Sequence, residues 1–333
     1  MMFKALIVNQ AEDGTISTSL EEKTLDFLPA EGEVLVEVHY SDVNYKDGMC
    51  LTGAGRLVRE YPHIAGIDFA GIVLESADDR YKPGDAVIAT GWRMGEVWFG
   101  GYAQRARVKA DWLVPLPAGM TARQAMAIGT AGLSAMLAVL MLEDNGLSAD
   151  QGDVLVTGAT GGVGSVAVAV LANRGYQVAA VTGDPAKSEA YLTRLGASKL
   201  VPRSDLNELV KRPLESELWA GCVDAVGGEM LARILGQLKN RAMAAAVGNA
   251  GGVALPTNVI PFLLRGIILA GVDSASAPTP DRIRAWEALA QSLPADLLEE
   301  MTSEINLADV PEAAQAILKG ETRGRIVVNL MDS

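Results

Sequence analysis

Cysteine and histidine are almost absent from this chain. In 333 residues there are two Cys, Cys50 and Cys222, and two His, His39 and His63. Two thiols exclude a disulfide framework and make the cytosol the expected compartment. They also exclude a structural zinc site built on four Cys. Basic residues are in deficit: 28 Lys and Arg against 41 Asp and Glu leave a net charge of −13. That is the wrong sign for a nucleic-acid-binding surface, and an anionic ligand has to be met by a local basic patch. Aromatic residues make up only 5%. Long apolar runs are missing too, except at residues 125–142, which carry no charge and just reach the length of a membrane span. That run is rich in Ala, holds Gly129, Thr130, Gly132 and Ser134, and is closed by Glu143 and Asp144. With no flanking basic cluster it reads as a buried helix. Residues 3–8 are apolar apart from Lys4 and are followed at once by Asn9, Glu12 and Asp13, so they read as a first strand and not as a signal segment.

What is present is a globular balance, 49% hydrophobic and 21% charged, at a length that predicts two domains. The first 120 residues or so read as β-rich. Residues 33–40 alternate, with Val34, Val36 and Val38 against Leu35, Glu37 and His39, as a half-buried strand does. Lys82-Pro83-Gly84-Asp85 is a turn signal before a strand over 86–89. Short strands this close together predict a barrel or sandwich. From residue 121 the pattern changes to helix and strand in alternation, with apolar strand cores such as Val154-Leu155-Val156. That pattern predicts an α/β fold, a doubly wound parallel sheet of the Rossmann kind covered on both faces. The tail, 281–330, predicts two or three helices and a last strand over 325–330.

The strongest local signal is Val154-Leu155-Val156-Thr157-Gly158-Ala159-Thr160-Gly161-Gly162-Val163-Gly164. It follows a strand and opens a helix, the context of a dinucleotide site, where glycines let the backbone approach a pyrophosphate. With Gly161 and Gly164 as the second and third fingerprint glycines, Ala159 takes the first position. An NAD site wants an acid at the end of the next strand, near 20 residues on. Here Thr182-Gly183 stands there, and the missing acid favours NADPH. Lys187 and Arg203 are candidate contacts for its 2′-phosphate; Asp184 argues the other way.

A β-rich first domain followed by this glycine loop resembles the medium-chain dehydrogenase/reductase superfamily over nearly the whole chain. The resemblance implies a GroES-like catalytic domain, residues 1–122 and 275–333, and a Rossmann NADPH-binding domain, 123–274. Zinc-dependent members carry a Cys after the first strands and a later Gly-His-Glu. This chain has Asn44-Tyr45-Lys46-Asp47 and Gly66-Ile67-Asp68 instead, so no catalytic zinc and no His general base are expected. Within the zinc-free, quinone-oxidoreductase-like members it is similar to the acryloyl-CoA reductase group. The resemblance is carried by Asn44-Tyr45-Lys46-Asp47, residues 66–71, Thr90-Gly91-Trp92, residues 106–114 and 128–132, Pro261-Phe262, Leu264-Arg265 and Gly271-Val272-Asp273-Ser274. It implies NADPH-dependent reduction of a 2-enoyl-CoA, with acryloyl-CoA becoming propanoyl-CoA, by a cytosolic homodimer. In that group a basic residue often follows Thr182-Gly183; here it is Asp184.

By the same resemblance Thr160, Gly161, Gly162 and Val163 contact the cofactor's phosphates, and Thr182, Gly183 and Arg203 surround its adenosine end. Asn249 and Ile260 flank the nicotinamide, Ser274 and Arg325 close the cleft, and Tyr45 is in cofactor contact. Reduction of an α,β-unsaturated thioester needs a hydrogen-bond donor near the thioester oxygen and a proton at Cα. Tyr45 is the candidate donor, with a positioning Tyr and water as the acid as the alternative; Asn44 and Asp47 are expected to hold its loop. Arg56, Arg59 and Arg323 are candidate cations for the CoA phosphates. Trp92, Trp98 and Phe99, three aromatics in one glycine-rich loop, are candidate walls of the acyl pocket, with a small satellite core as the alternative. Two rival functions remain: a reductase of quinones or reactive enones, and a non-catalytic NADPH-binding protein.

Overall fold

The computed structural model describes residues 1–208 and 212–331. The chain forms two compact units. The first comprises Met1–Thr130, Ala275–Ile283 and the chain from Leu298 on; the second comprises Ala131–Ser274 and Arg284–Leu297.

In the first unit the main sheet runs in the order Thr302–Asn306, Arg325–Asn329, Val34–Asp42, Asp68–Ser76, Ala86–Thr90, Leu113–Pro115, with Arg105–Val108 also paired to Val34–Asp42. Its pairings are antiparallel apart from the first. A second sheet joins Ile16–Thr24, Met2–Gln10 and His63–Ile64. One apolar core, with Ile7, Val36, Phe69, Leu113 and Val328 among its members, ties these strands together. Alternation set Leu35 opposite Val34 and Val36, yet Leu35 is buried with them. The strand is paired on both edges and packs apolar side chains on both faces. Strand Ile16–Thr24 is polar and half-exposed, which is why no apolar period marks it in the sequence.

The second unit is a six-stranded parallel sheet in the order Lys199–Pro202, Val178–Thr182, Val154–Val156, Trp219–Asp224, Leu238–Ala246, Ile268–Gly271. Helices Gly162–Asn173, Pro185–Arg194 and Gly228–Gln237 connect its strands. The doubly wound prediction therefore holds, and Val154, Leu155 and Val156 are fully buried, as a central strand covered on both faces requires.

The long apolar helix, Ala122–Asp144, is long and apolar enough to cross a membrane, but 83% of its most apolar window is buried inside the protein. It is interrupted at Gly129, where φ is 53° and ψ is −162°. A Cβ there would meet Asp42 Oδ2 at 1.9 Å and Arg325 Nη2 at 2.6 Å, so only glycine fits. The division between the units falls just after this break, at 130/131.

Candidate functional site

The glycine loop leaves strand Val154–Val156 and turns at Gly158, which adopts φ 58°. The left-handed turn is thus made by Gly158, and Ala159, aligned above with the first fingerprint glycine, is buried beside it. Gly161 N–H donates to Gly158 O at 2.9 Å, and Ser165 N–H to Gly161 O at 2.9 Å. Gly161 is the N-cap of helix Gly162–Asn173 and offers no side-chain cap. The first N–H groups of that helix are left for a ligand, and they carry the positive end of the helix dipole. A Cβ at Gly164 would meet Gly158 O at 2.2 Å, whereas one at Gly161 would meet it at 3.3 Å. Gly164 is therefore required for the loop to close on its own helix. These features fit the pyrophosphate of a dinucleotide.

An acid that motif reading missed braces this loop from behind. Thr157 Oγ1 donates to Asp224 Oδ1 at 2.6 Å, and Asp224 Oδ2 accepts from Gly227 N–H at 2.8 Å. Burial raises the Asp224 pKa, and these hydrogen bonds oppose the rise. The pair locks the end of strand Val154–Val156, from which the loop departs, to the end of its neighbour Trp219–Asp224.

At the next strand end, Thr182 Oγ1 donates to Ser188 Oγ at 3.0 Å. The Arg203 guanidinium lies over Gly183, where a Cβ would meet Nη2 at 3.0 Å and Cζ at 3.1 Å. Arg203 is exposed. Asp184 serves its own helix: it N-caps Pro185–Arg194, its Oδ1 accepting from Lys187 N–H at 3.1 Å. This accounts for an acid at a position where the resemblance expects a base. Lys187 lies in the same first turn, exposed. Asn249 is exposed in the loop after Leu238–Ala246, Ile260 opens helix Ile260–Arg265, and Ser274 Oγ accepts from Ser134 Oγ at 2.6 Å.

In the first unit Tyr45 begins helix Tyr45–Thr52 and is 54% exposed. The turn below it is tightly built. Asn44 N–H donates to Asp47 Oδ2 at 2.9 Å, Ile67 N–H to Asp47 Oδ1 at 2.9 Å, and Asn44 Nδ2 to Asp42 Oδ1 at 2.8 Å and Asp68 Oδ2 at 3.0 Å. Asn44 and Asp47 hold the loop, as expected from the sequence. Three carboxyl groups, Asp42, Asp47 and Asp68, are all fully buried here. Asp68 accepts from Thr130 N–H at 2.6 Å and Thr130 Oγ1 at 2.5 Å. Burial, reinforced by Asp68, pushes the Asp47 pKa up to about 7. Burial and Asp68 raise Asp42 well above the usual carboxylate range, against the pull of Arg325. The cluster gathers three separate stretches, residues 42–47, 68 and 130, on Arg325 near the end of the chain, a convergence that no spacing in the sequence shows.

Arg325 corrects an expectation. It is 2% exposed. Its Nη2 pairs with Asp42, its Nε donates to Ala127 O at 2.8 Å and its Nη1 to Asn44 Oδ1 at 3.4 Å. A buried guanidinium with these partners is a structural anchor and is not displayed for a cofactor. The loop aromatics also differ from the expected wall. Trp98 Nε1 donates to Arg107 O at 2.8 Å and its ring meets Trp112 edge-on at 5.1 Å. Trp92 lies parallel to Trp112 at 6.4 Å with the Arg282 guanidinium 4.6 Å over its ring. Phe99 stacks on Phe27 at 5.2 Å and on the edge of His63. These rings spend their faces on one another, so the satellite-core alternative describes them. Arg56, Arg59 and Arg323 are all exposed; Arg56, at φ 51°, ends a short turn after Gly55. His63 is buried and its pKa falls to about 4 through desolvation; Cys50 and Cys222 are buried thiols whose pKa burial raises.

Comparison with known proteins adds three kinds of similarity. Residues 30–118 match the alcohol dehydrogenase GroES-like domain family and residues 162–292 the zinc-binding dehydrogenase family. The chain is 59% identical over 330 residues to the acrylyl-CoA reductase AcuI of Ruegeria pomeroyi, covering 99% of both chains. It is 44% identical over 332 residues to the putative quinone oxidoreductase YhfP of Bacillus subtilis, again over 99% of both. A crystal structure of the yhdH oxidoreductase from Salmonella enterica in complex with NADP superposes with a TM-score of 0.95 at 48% identity, covering 99% of each chain.

Proposed function

The chain belongs to the medium-chain dehydrogenase/reductase superfamily, in its zinc-free acrylyl-CoA reductase group, and from that premise we propose that it reduces acryloyl-CoA to propanoyl-CoA at the expense of NADPH. The observation that carries this reading is the full-length identity of 59% to a reductase of that substrate. It is supported by a glycine loop shaped for a dinucleotide.

Bound NADPH supplies the hydride that adds to Cβ of the acyl group. Thr160, Gly161, Gly162 and Val163 offer it the uncapped start of a helix, and Thr182, Gly183 and Arg203 receive its adenosine end. Arg203, over Gly183 and exposed, is assigned to the 2′-phosphate. Asn249, Ile260 and Ser274 are assigned to its nicotinamide half. As the alkene is reduced, negative charge gathers on the thioester oxygen and Cα takes up a proton. Tyr45 is the assigned proton donor. Its exposure leaves the phenol available, and the Asn44–Asp47 turn fixes where its helix starts.

The deciding experiment follows NADPH oxidation with acryloyl-CoA, beside free acrylate and a simple quinone, and repeats it with NADH. Fast turnover of the CoA ester with NADPH alone is expected. Equal or better rates with the quinone sink the proposal in favour of a quinone reductase. Binding of NADPH without turnover of any acceptor leaves a non-catalytic role.

A homodimer and a cytosolic location complete the proposal. Strand Ile268–Gly271 ends its sheet, paired among the described residues with Leu238–Ala246 alone. Beside it in sequence Val259, Leu263 and Leu264 are exposed apolar residues. An open edge of this kind invites a second copy. Sedimentation at twice 35.0 kDa is expected, and a monomer at working concentration removes the assignment.

A further inference from the structure

We propose that Lys46 and Arg93, gathered on the buried carboxylate of Glu96, form the subsite that binds the phosphates of the coenzyme A nucleotide; this rests on the acryloyl-CoA reading above. Glu96 is 5% exposed. Lys46 Nζ stands 3.2 Å from its Oε1 and Arg93 Nε 3.4 Å from its Oε2. The two cationic side chains are themselves half exposed, at 50% and 52%. Neither has a second carboxylate partner among the described residues. Two cations on one carboxylate leave a net charge of +1 at this spot, in a protein whose net charge is −13. An acidic protein that takes a polyanionic substrate needs such a local reversal of sign.

The triad is not optimised for stability. Its contacts are longer than a tight charge-assisted hydrogen bond, and ion pairs with exposed partners contribute little. Yet the backbone that carries it is held in an unfavourable conformation. Trp92 and Arg93 are consecutive non-glycine residues at φ 53° and 58°, where a Cβ crowds the following carbonyl. The turn is braced on both sides. Trp92 N–H donates to Ala275 O at 2.9 Å, the Trp92 ring lies under the Arg282 guanidinium, and Gly95 N–H donates to Trp98 O at 2.8 Å. Strain kept in place by this much surrounding structure fits a ligand clamp better than a surface loop. It sends the Arg93 side chain back to Glu96, and Glu96 then fixes Lys46.

Position also fits. Lys46 follows Tyr45 in the first turn of helix Tyr45–Thr52, so their side chains leave the axis about 100° apart. A flexible pantetheine arm separates thioester from phosphates, and neighbouring residues diverging from one helix can serve its two ends. The half-exposure of both cations suits a solvated phosphate rim; an oxyanion donor is worth more where water is excluded.

The test compares kcat/KM for acryloyl-CoA with that for acryloyl-pantetheine, which lacks the nucleotide phosphates, in wild type, Lys46→Ala, Arg93→Ala and the conservative Lys46→Arg. Calorimetric titration with coenzyme A itself runs alongside. Wild type is expected to prefer the CoA ester. Each alanine variant is expected to lower that preference about tenfold and to weaken CoA binding to match, as loss of one phosphate contact does. Lys46→Arg should restore most of both, and the KM for NADPH should not move. A wild type without preference overturns the subsite, as does a preference that survives in the variants. An equal fall with both esters also overturns it and moves the cations to the acyl end. Turnover of a quinone with neither thioester reduced defeats the acryloyl-CoA reading instead, while the CoA titration still reports on the cations.

Discussion

Replacing Arg325 by Ala is expected to cost about 3–5 kcal/mol of stability, the usual loss when one partner of a buried ion pair is removed. The guanidinium is 2% exposed and Asp42 is fully buried. Without Arg325 the Asp42 carboxyl keeps its neighbours Asp68 and Asp47, both of which push its pKa up. The Ala127 carbonyl also loses its donor. The loss depends on pH, with a definite sign. A carboxyl whose folded-state pKa is raised holds its proton while the unfolded chain releases it, so stability falls as pH rises above the ordinary value of 3.8. Removing Arg325 takes away an influence that lowers this pKa, so the variant's carboxyl holds its proton to still higher pH, and its deficit widens once pH passes the raised folded-state pKa of Asp42 in the wild type. Urea unfolding midpoints of both proteins from acid to mildly alkaline pH measure it. A variant with an unchanged midpoint and a raised KM for NADPH would return Arg325 to the cofactor, as the family resemblance first suggested.

Gly164→Val is expected to weaken NADPH binding about a hundredfold, the equivalent of roughly 2.7 kcal/mol. Its Cβ would meet Gly158 O at 2.2 Å and Ala159 Cα at 2.6 Å. Both are backbone atoms with no rotamer to turn, so the loop must move off the helix start that it presents to the phosphates. Gly161→Ala is the graded control, since its nearest contact, Gly158 O at 3.3 Å, can yield by a few tenths of an ångström. Fluorescence titration with NADPH gives the affinities, and far-UV circular dichroism should stay close to wild type for both. Equal affinities in the two variants would mean that the close approach at Gly164 does not shape the site.

Legibility in the sequence followed the range of the interaction. The parallel sheet, its order of helices and strands, and the glycine loop were visible because each depends on neighbours along the chain: apolar strand cores, a turn, a helix start. Polar strand Ile16–Thr24 had no such period and was missed. Within the loop, the alignment named Ala159 for a turn that Gly158 makes, because a motif counts positions while φ is set by which residue can reach the left-handed region.

The sequence by itself determined the family, the alternating architecture and the glycine loop between a strand and a helix, all of which are local patterns. It also showed Asn44-Tyr45-Lys46-Asp47 and Gly66-Ile67-Asp68 where the zinc-dependent relatives carry a Cys and a Gly-His-Glu. Only the tertiary structure decided the rest. Arg325 became an anchor because residues 42, 44 and 127 converge on it. Asp224 became a brace for the phosphate loop through Thr157, 67 residues away in the chain. Trp92, Trp98 and Phe99, one loop in sequence, were shared between two aromatic clusters by Trp112, Arg282, Phe27 and His63. The physical reason is the same in each case. Burial sets the worth of a charge or a ring face through whichever groups surround it, and those groups come from segments that no spacing rule connects.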